Sequence, residues 1–332
     1  MDADLHAMQR GVHRIALPTP MVASVNCWLI VDRPLTLVDC GLNWGGTLDA
    51  LEVGLRRLGY ALEEIDLVLL THEHVDHIGL AETVARRAGA DIACHERLAA
   101  WLAGLPGSLE ADDAWTAARL VAHGAPPPVV AAFEARMEMM RMLGSVPRPS
   151  VVLREGERLR LRDRTLRATL RPGHSPTDTV FHDSGHDLQL TGDHLMPDAR
   201  TTPYLVPGPA GDWREDLAPA RRLRTSLEAT ATAAPAGLGL PGHGRPFTDV
   251  GAHARAQLDG QRRRALRLLQ RLEATPRTLF ELVGRSHPGL SPQRAFLGML
   301  ELLARLELLL DEGLVDAHPT ADGGCRFSRP AA

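Results

Sequence analysis

Lysine is absent from the chain. All 37 Lys+Arg residues are arginine, which beside abundant Ala, Leu and Gly reads as compositional drift rather than a functional choice. No apolar run approaches the roughly 20 residues needed to cross a bilayer, which excludes a helical membrane span. The N-terminus MDADLHAMQR has no basic stretch ahead of an apolar core, so no secretory signal is visible and a cytoplasmic protein is expected. Cysteine is scarce: Cys27, Cys40, Cys94 and Cys325 are widely spaced, form no C-x-x-C pair and read as buried, reduced thiols. There is no positive charge excess either. A net charge of -4 argues against a protein whose main partner is nucleic-acid phosphate. Aromatics are few, with 2 Tyr and 6 Phe, whereas histidine is plentiful at 15.

A length of 332 residues suggests two domains, or one large domain with an appendage. Hydrophobic residues at 44% and charged residues at 23% are ordinary for a folded soluble chain and exclude wholesale disorder. NCWLIVDRPLTLVDC reads as two strands joined at Asp32-Arg33-Pro34, and TLDALEVGLRRLGY as a helix. IDLVLLT, a continuous apolar run of strand length, predicts a strand covered on both faces. Residues 96–150 interrupt this β/α rhythm with helical stretches near 109–123 and 128–143. Strand patterns return from 151 to 193, followed by a helix near 214–229 and the strand GLGLPGHG. The last seventy residues read helix–helix–helix–hairpin, with QRRRALRLLQRLE as the first helix, Thr275-Pro276 and Ser291-Pro292 opening the next two, and LVDAH paired with CRFS. That order is a winged-helix pattern. It sets expected domains at 1–258, carrying the helical insertion, and at 259–332.

His72, His74, Asp76 and His77 lie within six residues at the end of the buried strand. Side chains two apart on an extended segment point the same way, so His72 and His74 can converge on one ion. The following turn can swing Asp76 and His77 toward a second. Imidazole and carboxylate are borderline ligands that suit zinc, although such a mixed site also accepts iron or manganese. Three further candidates, His174 in RPGHSPTD, Asp193 in LTGDHL and His243 in LPGHGRP, each sit in a glycine-containing turn after a strand-like run.

As an ordered set, THEHVDHIG, PGHSPTDTVFHDS, LTGDHLMP and GLPGHG resemble the metal motifs of the metallo-β-lactamase superfamily over residues 12–250. The resemblance implies an α/β fold, the four-layer αββα sandwich. It implies that two divalent ions are held, one by His72, His74 and His174, the other by Asp76, His77 and His243, with Asp193 bridging. It implies a hydrolase in which a hydroxide between the metals attacks and Asp76 orients it or accepts its proton. Asp39, in LTLVDCG, resembles the family's aspartate that orients a ligand histidine. The C-terminal pattern is similar to a glyoxalase II-like subgroup that carries a winged helix.

The substrate is less legible. Trp101, Trp115, Met137 and Met140 of the insertion are candidate apolar walls, Tyr204 and His194 candidate pocket residues, and Arg245, beside His243, a candidate contact for an anionic carrier. His194 could donate to substrate, but a bystander histidine in its turn is the favoured reading. A small-molecule acyl thioester or related activated ester is the favoured substrate; lactone, β-lactam and RNA phosphodiester hydrolysis are the rivals, and a DNA-binding regulator with a vestigial metal site is the non-enzyme alternative. Nucleic acid is an unlikely partner because the third C-terminal helix, AFLGMLELLARLELLLDEG, is apolar and acidic where a reading helix needs Arg, Asn or Gln. The winged helix is expected to shape the site or to form a homodimer.

Overall fold

The segment Val25–Ile30 is buried at every position, as a strand covered on both faces must be. It is β2 of a six-stranded sheet. In the computed structural model, which describes residues 3–19, 24–104, 108–197, 201–207, 213–233 and 237–330, this sheet has the order β1 (Val12–Leu17), β2, β3 (Thr36–Val38), β4 (Leu67–Leu69), β5 (Asp91–His95) and β6 (Val151–Leu153). From β3 to β6 the strands run parallel. Parallel neighbours need crossovers. These are α2 (Gly45–Arg57) between β3 and β4, and α3 (Val75–Ile78) with α4 (Ala81–Ala88) between β4 and β5. A short helix, α1 (Ala3–Gln9), precedes β1.

The insertion is the crossover from β5 to β6, drawn out into α5 (Glu96–Gly104), α6 (Ser108–Ala122) and α7 (Pro127–Met142). Helices α6 and α7 match the helical stretches expected near 109–123 and 128–143, whereas α5 is an additional helix beyond those expectations. A second six-stranded sheet follows, of β7 (Arg158–Arg160), β8 (Thr165–Leu170), β9 (Thr179–Asp183), β10 (Leu188–Gly192), β11 (Leu238–Pro241) and β12 (Phe247–Thr248). Helix α8 (Ala218–Ala233) connects the parallel pair β10 and β11.

Alternation of apolar side chains decides the layers. Trp28, Ile30, Leu67, Leu69, Phe181, Leu190 and Leu240 fill the space between the two sheets. Leu29, Leu37, Val68 and Ile92, one residue out of phase, face α2, α4 and α5 with Leu51, Leu55, Val84 and Leu98. On the far side Leu223, Leu227, Phe247, Val250 and Ala254 form a smaller core. The outcome is the helix–sheet–sheet–helix sandwich.

Helix α9 (Val250–Leu269) is longer than the pattern QRRRALRLLQRLE suggests, because Asp249 caps it, accepting from the Ala252 amide at 2.8 Å. The helix runs unbroken through residue 258. Its first turns pack in the sandwich, whereas Ala265 and Leu268 enter a separate cluster. That cluster also takes α10 (Leu279–Ser286), α11 (Pro292–Asp311) and a small sheet of β13 (Arg277–Thr278), β15 (Cys325–Ser328) and β14 (Asp316–Pro319). Helix α10 is capped by Thr278 rather than the expected Thr275: its hydroxyl accepts from the Glu281 amide at 3.2 Å, while Glu281 accepts from the Thr278 amide at 2.8 Å. Helix α11 is packed against α7, α8, α9 and α10.

A buried ionic cluster ties the insertion to this C-terminal unit. Asp216 accepts from Arg119 of α6 at 2.7 and 3.0 Å and from His123 Nε2 at 2.7 Å, and Arg119 also donates to the Gly323 carbonyl at 2.8 Å. Among the described residues, no helix is long and apolar enough to cross a membrane.

Candidate metal centre

All seven histidine and aspartate candidates arrive at one rim of the sandwich, just beyond the C-terminal ends of β4, β8, β10 and β11. Strand β4 ends at Leu69, and His72 follows in extended backbone. His74 is the N-cap of α3, whose single turn presents Asp76 and His77 on the same side. Three overlapping groups have ligand atoms within 4.8 Å of one another: His72, His74 and His174; His72, His77 and Asp193; and Asp76, His77 and His243. His174 Nε2 lies 3.0 Å from His74 Nδ1, and His243 Nε2 lies 3.3 Å from both Asp76 Oδ2 and Asp193 Oδ2.

The outer edges of these rings are tied down, which fixes their tautomers. His174 Nδ1 donates to the Thr202 carbonyl at 2.9 Å, and His243 Nδ1 donates to the Ser24 carbonyl at 2.6 Å. Asp39 lies behind two of these rings. It accepts from His77 Nδ1 at 2.8 Å, from the Thr71 amide at 2.9 Å and from the Thr71 hydroxyl at 2.8 Å, and that hydroxyl in turn accepts from His72 Nδ1 at 3.0 Å. Asp39 holds this position in left-handed backbone, φ 56°, a strained conformation for a residue with a Cβ. The inner nitrogens are then the ones left to offer a lone pair to a metal once deprotonated, and three inner atoms, His72 Nε2, His77 Nε2 and Asp193 Oδ1, are buried without a hydrogen-bond partner. Orphaned polar atoms in a protein interior are costly. Here their ligand atoms lie within 4.8 Å of one another, and a divalent cation would satisfy them together.

Charge follows the same division. Burial holds His72 far below the usual histidine range, and takes His74 and His174 down to about 4, so these three are neutral at pH 7. Burial works the same way on His243, but Asp193 and Asp76 outweigh it and raise it to about 10. Burial is likewise outweighed at His77, where Asp193 and Asp39 push the imidazole well above its ordinary value. For Asp76 burial favours the neutral form, yet His77 and His243 hold its carboxyl below the ordinary range. In the metal-free site, protons on His77 and His243 therefore compensate the carboxylates. At His243 that compensation is complete below about 6.5 and lost as pH rises through about 10. Metal must displace these protons, so uptake at pH 7.5 is expected to release at least one proton per chain and to tighten with rising pH. Calorimetry in buffers of different ionisation enthalpy measures the release; zero released protons would contradict this charge state.

One glycine is required by close approach. A Cβ on Gly242 would lie 2.2 Å from Asp193 Oδ1 and 2.6 Å from His77 Cε1, so only glycine lets β11 deliver His243 beside them.

Of the other candidates, Tyr204 comes to the centre. Its ring lies 5.1 Å from that of His74 and 5.5 Å from that of His174, and its amide donates to the His174 carbonyl at 3.2 Å. Met137 packs with Tyr204 against the C-terminal cluster, and Met140 lies half-buried one turn further along α7. The end of that helix reaches the metal motif: a Cβ on Gly144 would be 3.1 Å from Val75, and Ser145 donates to the Ile78 carbonyl at 3.2 Å. Trp101 instead packs with the core of α2 and α4, and Trp115 is half-buried on α6. His194 bonds Thr230 of α8 through Nε2 at 2.9 Å, and burial lowers its pKa to about 3. Arg245 is exposed beside His243.

The motifs did not single out Thr71, Glu73, Ser175, Thr177 or Asp178. Glu73 is buried between ligands and accepts from the Thr177 hydroxyl, while Asp178 accepts from the Ser175 amide at 2.8 Å and its hydroxyl at 3.1 Å, bracing the turn that carries His174. The signal in the chain was SPTD itself, a run of residues that hydrogen-bond their own turns.

Comparison with known proteins agrees with this geometry. The model of the metallo-β-lactamase superfamily matches residues 21–232. The chain belongs to that superfamily, whose members typically bind metal ions. It is similar to a protein of Bacillus subtilis described as the probable metallo-hydrolase YqjP, 26% identical, with 92% of this chain and 93% of that protein covered. Two solved structures are similar over nearly the whole chain. One is a metallo-β-lactamase family protein from Thermus thermophilus, 27% identical with a TM-score of 0.77, covering 96% of this chain and 99% of that one. The other is a β-lactamase domain protein from Burkholderia ambifaria, 25% identical with a TM-score of 0.79, covering 96% and 92%.

Proposed function

We propose that the protein is a binuclear metal-dependent hydrolase of acyl thioesters or related activated esters. The observation that supports this most is the pair of ligand triads, His72–His74–His174 and Asp76–His77–His243, with Asp193 near both. When bound, two divalent ions, zinc first among them, would supply Lewis acidity and acidify a water between them. The chain's own residues do the rest. Asp76, kept anionic, accepts a proton from the attacking water. Asp39 and Thr71 keep His77 and His72 in the ligating tautomer. Burial raises the pKa of Tyr204, so its phenol stays protonated and can donate to a developing oxyanion or a leaving group.

A thioester carbonyl is poorly resonance-stabilised and has a good leaving group, so such a site needs no serine or cysteine nucleophile. In this reading, residues 259–332 form a winged-helix-like unit that shapes the pocket. Helix α11 supports it: Phe296, Leu302, Leu303 and Leu306 are buried in the cluster on which Tyr204 and Met137 rest, so its apolar face is committed to packing inside the protein.

Purified, metal-supplemented protein should carry about two ions per chain by elemental analysis; none bound would end this reading. Assay at equal enzyme of acyl-CoA and acyl-glutathione thioesters, acyl-homoserine lactones, nitrocefin and single-stranded RNA should give the highest kcat/KM for thioesters. A rival turned over at least about tenfold faster, some 1.4 kcal/mol better in the transition state, would replace the thioester. Lactone hydrolysis is the second reading, because Tyr204, though eleven residues beyond Asp193 in sequence, returns to the ligand rings.

A further inference from the structure

The core-facing stripe of α7 carries one charge. Phe133, Met137 and Met140 follow helical spacing, and Arg136 lies among them. Phe133 meets Phe296 of α11 edge-on at 5.6 Å, and the Arg136 guanidinium lies 5.9 Å from the centre of the same Phe296 ring. Its Nε is shielded from solvent and has no hydrogen-bond partner, and among the described residues no carboxylate forms an ion pair with it. The other arginine near the end of this helix differs: Arg141 is paired with Asp113. A cation packed over an aromatic face gains only about 0.5–2 kcal/mol, and a guanidinium that lacks an acidic partner is incompletely satisfied by it.

Its surroundings point toward the metal centre. Tyr204 and Met137 pack on the cluster that contains Phe133 and Phe296, and the Tyr204 ring is in contact range of His74 and His174. The Arg136 charge also lies within electrostatic reach of Tyr204. Arg136 and the candidate ligand histidines thus both lie near Tyr204, and α7 continues from there to the rim beside Val75.

We propose that Arg136 is a specificity-determining residue that binds a carboxylate or phosphate group carried by the substrate, away from the scissile bond. The substrate class becomes an anionic acyl ester or thioester. This rests on the hydrolase reading above, but the anion site can be tested without turnover. A fork of N–H donors suits either anion, and charge-assisted bonds of this kind carry about 1.5–3 kcal/mol, or about 10- to 150-fold in affinity.

The test uses metal-loaded wild-type protein, Arg136→Gln and Arg136→Lys. Binding of dicarboxylates from succinate to adipate is compared with that of acetate, which has no second carboxylate to reach Arg136. At least one dicarboxylate should bind wild type with a Kd at least tenfold lower than Arg136→Gln, with Arg136→Lys between them and acetate unchanged by either substitution. In parallel, kcat/KM is measured on paired thioesters that differ only in a terminal carboxylate, succinyl against butyryl. Arg136→Gln should raise KM for the anionic member at least tenfold, leaving the neutral member within about twofold. Equal losses on both members and on acetate, or a fall in Tm without any anion discrimination, would show that Arg136 serves only the packing on Phe296 and overturn the proposal. If no thioester is hydrolysed yet dicarboxylate binding still depends on Arg136, the thioester reading fails and the anion site stands.

Discussion

Replacing Asp76 with Asn lowers kcat by at least about 100-fold while the fold stays intact. Asn keeps the volume but removes the charge, and the amide oxygen cannot take a proton from the attacking water. The carboxylate is held ionised by His77 and His243, the latter 3.3 Å from its Oδ2, so the loss falls on an anion the site has arranged for. Steady-state kinetics on the best substrate of the panel, with circular dichroism for folding and elemental analysis for retained metal, measures it. Turnover near wild type would show that Asp76 is not the proton acceptor.

Asp216→Ala is the largest expected loss of stability, about 3–5 kcal/mol. The substitution leaves Arg119 and His123, both buried, facing an empty position where one carboxylate satisfied both. A charge stranded in the interior costs more than the pair contributes when intact. The midpoint of denaturant unfolding, at unchanged slope, reports the change. A loss under about 1 kcal/mol would mean that the cluster is hydrated and the insertion is anchored elsewhere. Since this cluster holds α6 against the segment that precedes α8 and against the C-terminal hairpin, the variant should also raise KM through the displaced wall of α7.

The candidate metal ligands are legible in the chain itself because their geometry is local. H-x-H-x-D-H at the end of an apolar run fixes four donors by strand alternation and one helical turn, and glycine-flanked His174, Asp193 and His243 announce turns at strand ends. The sheets are legible for the same reason: burial on both faces writes itself as unbroken apolar runs such as Leu67–Leu69. What is not legible depends on contacts between residues far apart in the chain. Trp101 and Tyr204 are both candidate pocket aromatics, yet one packs with Leu98 and Leu102 over the first sheet and the other reaches His74. Nothing local separates them. Arg136 sits in a methionine-rich stripe whose direction is set only when α11 brings Phe296 beneath it. Asp39 could be read as a turn residue or as the partner of a histidine 38 positions on; the parallel pairing of β3 with β4 decides it, because that pairing sets the ends of the two strands side by side. Alternation and turn chemistry are properties of a few neighbouring residues, so they are written in order along the chain. Which wall faces the metals is a property of packed layers, and it exists only once the crossover from β5 to β6 has folded against α9 to α11.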